Sequence, residues 1–262
     1  MIPAEDPTTL SLLFHLNSEP WMNSEAYNQA AGYEVEYKEM DGTGAAVALG
    51  PPPDSPIARA LRARRSCRLY RPQTLPAEAL SSLLAGAYGV ARVERSPQAG
   101  VNFMRGVPSA GGLFPLELYA VVCDVEGLAD GLYHYNVRRH ALEPLRTEGV
   151  FEGLNAALMT GPFVRNANLV VIMTAVFPRT QKKYGPRGYR YILLEAGHVG
   201  QTLCLLAAES GLGSLCMGGF HDTRLNRFLG LDGVTEAAVY TVAVGHPAEH
   251  ESAPVRIGQT SE

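Results

Sequence analysis

Cysteine is scarce in this chain. Cys67, Cys123, Cys204 and Cys216 are the only four in 262 residues. None forms a C-x-x-C pair and each lies in apolar or glycine-rich surroundings, so there is little case for a disulfide or zinc framework and buried free thiols are expected. Long hydrophobic runs are also missing. Segments such as Leu169-Val170-Val171-Ile172-Met173 are far shorter than the roughly 20 apolar residues of a membrane span. Positive charge is not in excess: 22 Lys and Arg stand against 26 Asp and Glu, a net −4, which argues against nucleic-acid binding. The first six residues, Met1 to Asp6, are acidic and lack a basic stretch followed by an apolar core. With no secretory signal visible, a cytoplasmic protein is the expectation.

Several catalytic motifs are absent as well. There is no Walker-type phosphate loop, no Gly-x-Ser-x-Gly elbow and no His-Glu-x-x-His helix. Gly211-Leu212-Gly213 opens like a dinucleotide fingerprint, but its sixth position is Cys216 and it follows a helix, so it is rejected. Glu195-Ala196-Gly197-His198 has the spacing of di-iron bundles in a single copy only. A polar contact inside a buried helix is the expected role. No internal repeat or low-complexity tract occurs.

What is present suffices for one large domain or two small ones, with 46% of the residues hydrophobic. Residues 40–56 hold Gly42, Gly44, Gly50, Pro51-Pro52-Pro53 and Pro56, a linker signature. It divides an N-terminal extension and linker, residues 1–53, from a main body, residues 54–262. Within the extension, residues 8–18 predict a short helix with Leu10, Leu13 and Phe14 on one face. In the main body, Asp54 or Ser55 can cap a helix through Ile57, Ala60 and Leu61. Pro76 to Val90 predicts a second helix with Pro76 at its first position. Residues 91–107 read as irregular. Strands are predicted at 116–125, 131–142, 168–176, 212–217 and 237–244, with helices at 150–159, 188–210 and 222–229, the last capped by Asp222. The nine-residue apolar run of 168–176 predicts a strand covered on both faces. The 188–210 helix is apolar nearly all round and is expected at the centre. This alternation gives an α/β (α+β) fold, a mixed sheet flanked by helices.

Four segments carry candidate chemistry. Arg64-Arg65-Ser66-Cys67-Arg68 sits where a helical pattern breaks. Its guanidinium forks and hydroxyl suit a terminal phosphate, or they form a solvated basic helix end. Pro108-Ser109-Ala110-Gly111-Gly112 precedes a strand and could bring backbone N–H groups to a ligand, or be a tight turn. Cys216-Met217-Gly218-Gly219-Phe220 ends a strand, where α/β sheets gather ligands. Lys182-Lys183-Tyr184-Gly185-Pro186-Arg187-Gly188-Tyr189-Arg190 is basic, glycine-rich and aromatic. It is a solvated loop or, at a sheet end, the seat of a Lys–Tyr acid–base pair.

The ordered set resembles the nitroreductase superfamily of flavin mononucleotide (FMN) enzymes, and within it the SagB-type dehydrogenases. The likeness runs over residues 55–258. It includes Arg-Arg-Ser-x-Arg, Pro-Ser-Ala-Gly-Gly, Gly-Leu-Tyr-His-Tyr at 131–135, Lys-Tyr-Gly-x-Arg-Gly-Tyr-Arg at 183–190, Glu-Ala-Gly-His at 195–198 and Val-Gly-His-Pro at 244–247. It implies a nitroreductase-like fold with a long central helix, an intertwined homodimer, and residues 54–262 as the FMN-binding domain. Arg64, Arg65, Ser66 and Arg68 would hold the phosphate. Pro108, Ser109, Ala110 and Gly111 would reach the same flavin from the second subunit. Gly218 and Gly219 would lie by the ring, with Glu often standing at the first of these in ordinary nitroreductases. Arg256 would add a terminal cation for the phosphate. Lys183 and Tyr184 match the pair to which azoline oxidation is assigned.

The implied reaction turns a thiazoline or oxazoline in a peptide into a thiazole or oxazole. The base Lys183 takes the α proton, a hydride goes to the flavin, and dioxygen restores it. A cyclodehydratase complex is the implied partner. Two alternatives remain: an NAD(P)H-dependent reductase of nitro, quinone or enone substrates in the same fold, and a non-catalytic subunit of a peptide-modifying complex. In the extension, Phe14, His15, Trp21 and Tyr27 suggest contact with a partner or with the other subunit, or a plain helical arm.

Overall fold

The computed structural model describes residues 9–20, 37–38, 40, 47–96 and 100–248. Its centre is a six-stranded sheet in the order β5-β4-β3-β6-β8-β7. The strands are β3 (Leu116–Val122), β4 (Gly131–Asn136), β5 (Ala141–Arg146), β6 (Leu169–Val176), β7 (Gly213–Met217) and β8 (Glu236–Gly245). Every pairing among these six is antiparallel. A parallel component comes from outside them, where Ser66 bridges to Ser214 of β7.

The sheet is covered on both faces, which explains why β6 is apolar at every position but Thr174. Its side chains alternate between two cores. Leu169, Val171, Met173 and Ala175 enter the core beneath α3 (Ala77–Tyr88) and α6 (Arg187–Glu209). Val170 and Ile172 enter the core beneath α4 (Val150–Ala157) and α7 (Asp222–Leu229). Helix α3 forms because Leu80, Leu83, Leu84, Ala87 and Tyr88 recur at helical spacing on its buried side. Helix α6 has 23 residues and is long and apolar enough to cross a bilayer by length and composition. It is instead a core helix: Ile192, Ala196, Val199, Leu203 and Ala207 make a continuous buried stripe.

Several expectations need correction. Residues 91–107 are not irregular: β1 (Val90–Ser96) and β2 (Gly100–Arg105) form an antiparallel ribbon. Charges at Arg92, Glu94 and Arg95 hid it, because most of the ribbon is exposed and only its Met104–Arg105 end reaches the core. The predicted strand 131–142 is two strands, β4 and β5, which pair with each other in register Tyr135 to Leu142. His140, with φ +45°, lies in the turn between them. Helix α2 (Pro56–Ala63) is capped by Ser55, whose Oγ accepts from the Ala58 N–H at 3.1 Å. Asp54 instead takes Arg59 and Arg62. Pro76 and His221 are the caps of α3 and α7, so Pro76 stands one residue before the helix and Asp222 lies inside the first turn.

Helix α1 (Thr9–Asn17) presents its apolar face outward. Ser11 and His15 are buried while Leu10, Leu13, Phe14 and Leu16 face outward. His15 Nδ1 lies 3.1 Å from the Tyr189 hydroxyl, and Gln181 Nε2 donates to Ser11 Oγ at 3.0 Å. Farther on, the Glu19 carboxylate accepts from Thr223 N–H at 3.0 Å and Oγ1 at 2.7 Å. Trp21, Tyr27 and the glycines Gly42 and Gly44 lie outside the described residues.

Candidate active site

Helix α2 ends where Arg64 caps it, its N–H bonded to the Ala60 carbonyl. The chain then runs extended beside β7: Cys67 N–H donates to the Ser214 carbonyl at 2.8 Å. Cys67 points inward and is buried, Arg64 is half-buried, and Arg65, Ser66 and Arg68 are exposed. Among the described residues none of the three arginines has a carboxylate partner. The nearby Asp54 is already taken by Arg59 and Arg62. Unneutralised cations and a free-standing hydroxyl on a rigid strand edge are what a phosphate monoester needs.

Pro108 to Gly112 forms a tight, glycine-dependent turn. Gly111 and Gly112 take φ +65° and +64°, values reached easily only without a side chain. Ser109 Oγ accepts from the Phe114 N–H at 2.9 Å, and the Ser109 carbonyl accepts from Gly112 N–H at 3.0 Å. The loop is closed on one side by Lys183 and Tyr184. A Cβ built on Gly111 would stand 2.7 Å from the Tyr184 hydroxyl and 2.8 Å from Lys183 Nζ. The Lys183 ammonium lies 5.3 Å from the centroid of the Tyr184 ring. Both side chains come from the last turn of α5 (Phe177–Tyr184), so the Lys-Lys-Tyr stretch is helical and not a loop. Gly185, with φ +55°, turns the chain into α6. Tyr184 is braced edge-on by Tyr191 at 5.0 Å.

Below the turn lies a buried polar network that sequence reading did not assemble. Tyr88 donates to Glu195 Oε1 at 2.6 Å, and the Ser109 hydroxyl also acts on the Glu195 carboxyl. Burial pushes the Glu195 carboxyl above its ordinary value, against the pull of Ser109 and Tyr88. The Arg105 guanidinium lies 3.8 Å over the Tyr88 ring and 4.8 Å from the Phe114 ring centroid. Its Nε and Nη1 are buried without a hydrogen-bond partner among the described residues. Glu195 was legible as a buried polar helix residue. Arg105 gave no signal, because the β2 strand that carries it was itself unrecognised.

Gly218 and Gly219 follow the end of β7. Gly218 is exposed with open space where a Cβ would be, and a Cβ on Gly219 would touch Met159 at 3.8 Å. The structure thus brings Lys183, Tyr184, Ser109 and Gly111 together. Arg64 and Ser66 lie at one end of β7, and Gly218 and Gly219 follow its other end. The two groups flank different turns of α6. Glu195 faces the first, while Cys204, which feels the charge of Arg64, faces the second. Nine residues of helix separate these positions, about 13 Å along the axis. Arg256 lies outside the described residues.

Comparison with known proteins agrees with this architecture. The Nitroreductase family profile matches residues 61–246. A protein of Methanocaldococcus jannaschii named as a putative nitroreductase is 39% identical over 166 residues, 63% of this chain and 80% of that one. The trifolitoxin-processing protein TfxB of Rhizobium leguminosarum is 30% identical over 58% of this chain and 42% of its own length. The microcin B17-processing protein McbC of Escherichia coli is 31% identical over 54% of each. The chain therefore spans about half the length of these two processing proteins. Among solved structures, a chain of the E. coli microcin synthetase McbBCD complex with truncated pro-MccB17 superposes with a TM-score of 0.67, at 21% identity over 93% of this chain and 94% of that one. A Desulfovibrio desulfuricans nitroreductase-type protein in complex with FMN superposes with a TM-score of 0.53, at 19% identity over 78% of this chain and 93% of that one. With most of its length matched by one family profile and the fold shared, the chain belongs to the nitroreductase family.

Proposed function

We propose that this protein is an FMN-dependent dehydrogenase of the SagB type, which oxidises thiazoline or oxazoline rings in a peptide to the aromatic azoles. The observation that carries the reading is the seating of Lys183 Nζ and the Tyr184 hydroxyl against Gly111. A potential base and a phenol are held beside a glycine that has no side chain of its own. Similarity to a trifolitoxin-processing and a microcin B17-processing protein supports a role in processing such a product.

The residues fit the cofactor. Arg64, Arg65, Ser66 and Arg68 would hold its phosphate, with Arg256 as a further cation, and the open face at Gly218 and Gly219 would take the flat ring. When bound, FMN supplies a two-electron acceptor for the β hydrogen of the azoline. Lys183 takes the acidic α proton at its Nζ, and Tyr184 orients that amine through its hydroxyl. Pro108, Ser109, Ala110 and Gly111 would serve the flavin held by the other subunit of a homodimer. The separation of this turn from Arg64 along α6 within one chain supports such sharing. The same reading makes residues 1–53 an extension on the FMN-binding domain 54–262, places the protein in the cytoplasm, and gives it a cyclodehydratase complex as its working partner.

The test is mass spectrometry of an azoline-containing peptide incubated with the FMN-loaded protein in air. Loss of two hydrogens per ring is expected, and Lys183→Ala should abolish it while retaining the yellow cofactor. Undiminished oxidation by the variant would remove Lys183 from the chemistry. The 39% identity to a protein named as a nitroreductase favours a second reading, an NAD(P)H-dependent reductase. Rapid flavin bleaching by NADPH and turnover of a quinone, with no azoline oxidation, would establish that one instead.

A further inference from the structure

Two thiols outside the proposed site face each other across the junction of α6 and β7. Cys204 Sγ and Cys216 Sγ are 3.4 Å apart, and both are free. Cys204 is buried in the helix stripe, whereas Cys216 is partly exposed on its strand. The approach is built in one turn earlier. A Cβ on Gly200 would stand 2.7 Å from the Tyr240 ring and 3.8 Å from Cys216 Sγ, so only glycine lets the helix settle so close to this sheet edge.

The surroundings of the two sulfurs differ. Cys216 is hydrogen-bonded by Cys204 and Tyr240 and faces the charge of Arg64, so its thiol is held below the ordinary value. Cys204, in contact with Cys216 and more deeply buried, is held above it. Cys67 is also buried in this region, but its Sγ is 3.1 Å from the Leu69 carbonyl and burial raises it. Cys123 lies elsewhere, beside Asp124 and Asp130, and is raised too. The partly exposed thiol of Cys216 therefore has a second sulfur within reach, while the other two thiols have no such neighbour among the described residues.

We infer that Cys204 and Cys216 form a reversible, intrachain disulfide when the protein meets a hydroperoxide. The Cys216 thiolate attacks one peroxide oxygen: an S–O bond forms, the O–O bond breaks, and the leaving oxygen takes a proton and departs as water or alcohol. Cys204 then attacks the resulting sulfenic sulfur. The S–S bond forms, the S–O bond breaks, and a second water leaves with the Cys204 proton. Two sulfurs are oxidised by two electrons in total and the peroxide is reduced by the same two. The new bond would tie α6 to β7 two residues from Ser214, the anchor of the Ser66–Cys67 segment.

The experiment treats the folded, full-length protein with hydrogen peroxide, blocks remaining thiols under denaturing conditions, and maps the peptides by mass. Cleavage after Glu209 is required, because it lies between the two cysteines. The expected result is a drop from four reactive thiols to two. A linked peptide pair holding Cys204 and Cys216 should appear two hydrogens lighter than its parts and vanish with dithiothreitol. In Cys204→Ser, Cys216 should accumulate instead as a sulfenic acid trapped by dimedone. Four thiols left unreacted, a link through Cys67 or Cys123, or a disulfide between chains overturns the inference. The wild-type map decides the matter even if the variant does not fold, and it requires neither flavin nor turnover.

Discussion

Tyr88 and Glu195 are joined by a 2.6 Å hydrogen bond in the middle of the protein, one at the end of α3 and the other in α6. Their burial is nearly complete, at 0% and 2% exposed. The same phenol accepts from the Leu116 N–H at 3.2 Å, so one hydroxyl ties two helices to the first residue of β3. Tyr88→Phe keeps the ring under Arg105 and removes only that oxygen. It leaves a buried carboxyl and a buried N–H short of a partner, a cost of about 1–3 kcal/mol. Denaturant unfolding should show a lower midpoint with an unchanged slope. A midpoint equal to wild type would mean that water replaces the phenol at no cost.

Gly111→Ala tests the seat of the proposed base. The new methyl would collide with both Lys183 and Tyr184 and would sit on a backbone at φ +65°. Gly100→Ala is the matched control: its φ is +71°, but a Cβ there meets nothing within 4 Å. Both variants carry similar backbone strain of order 1 kcal/mol. Only the first should lower azoline oxidation, by about 100-fold, the loss typical when reacting groups are displaced by an ångström. Equal activities in the two variants would show that contact with Gly111 does not position the pair.

The arginine cluster predicts a graded loss of flavin affinity. Arg64 is half-buried against the core edge, whereas Arg65 and Arg68 are exposed. A charged hydrogen bond is worth about 1.5–3 kcal/mol, so Arg64→Ala should weaken FMN binding by roughly 10- to 100-fold. Arg65→Ala and Arg68→Ala should lose less, and more of their effect should vanish in high salt. Fluorescence quenching titrations with FMN and with riboflavin provide the check. If riboflavin, which lacks the phosphate, is weakened as much as FMN by Arg64→Ala, the cluster does not read the phosphate.

His134 sets a pH dependence of stability. Its Nε2 is 3.0 Å from Glu117 and its Nδ1 is 3.1 Å from Glu143, and only the imidazolium can donate to both. The bond to Glu117, followed by that to Glu143, raises the His134 value despite partial burial. The contribution is complete below the unfolded value near 6.5 and fades as pH climbs through the higher folded value. His134→Gln should therefore cost more stability at pH 5.5 than at pH 8.5. The difference should stay below about 1 kcal/mol for a side chain in partial contact with solvent. Thermal midpoints of both proteins across that range would reveal the trend, and a gap that widens toward alkaline pH would contradict it.

Local rules made the elements around the site readable. The helical spacing of Leu80, Leu83, Leu84 and Ala87, and the apolar run of β6, each follow from a face that must be buried, and such faces are written into the sequence. The order of the family motifs along the chain likewise marks the fold. The β1–β2 ribbon was not readable, because most of it is exposed and its charges mimic a loop. The split between β4 and β5 escaped as well, since a turn carried by Arg138, Arg139 and His140 has no glycine or proline to mark it.

Sequence by itself determined the residue inventory: the arginines, the glycine turn, the Lys–Tyr pair and the polar helix position Glu195. Tertiary structure alone decided their company. Gly111 and Lys183 are 72 residues apart in the chain, and Cys204 and Cys216 belong to different elements. Their meeting depends on how α5 and α6 pack on the sheet, and that packing is governed by the summed burial of two cores and not by any local pattern.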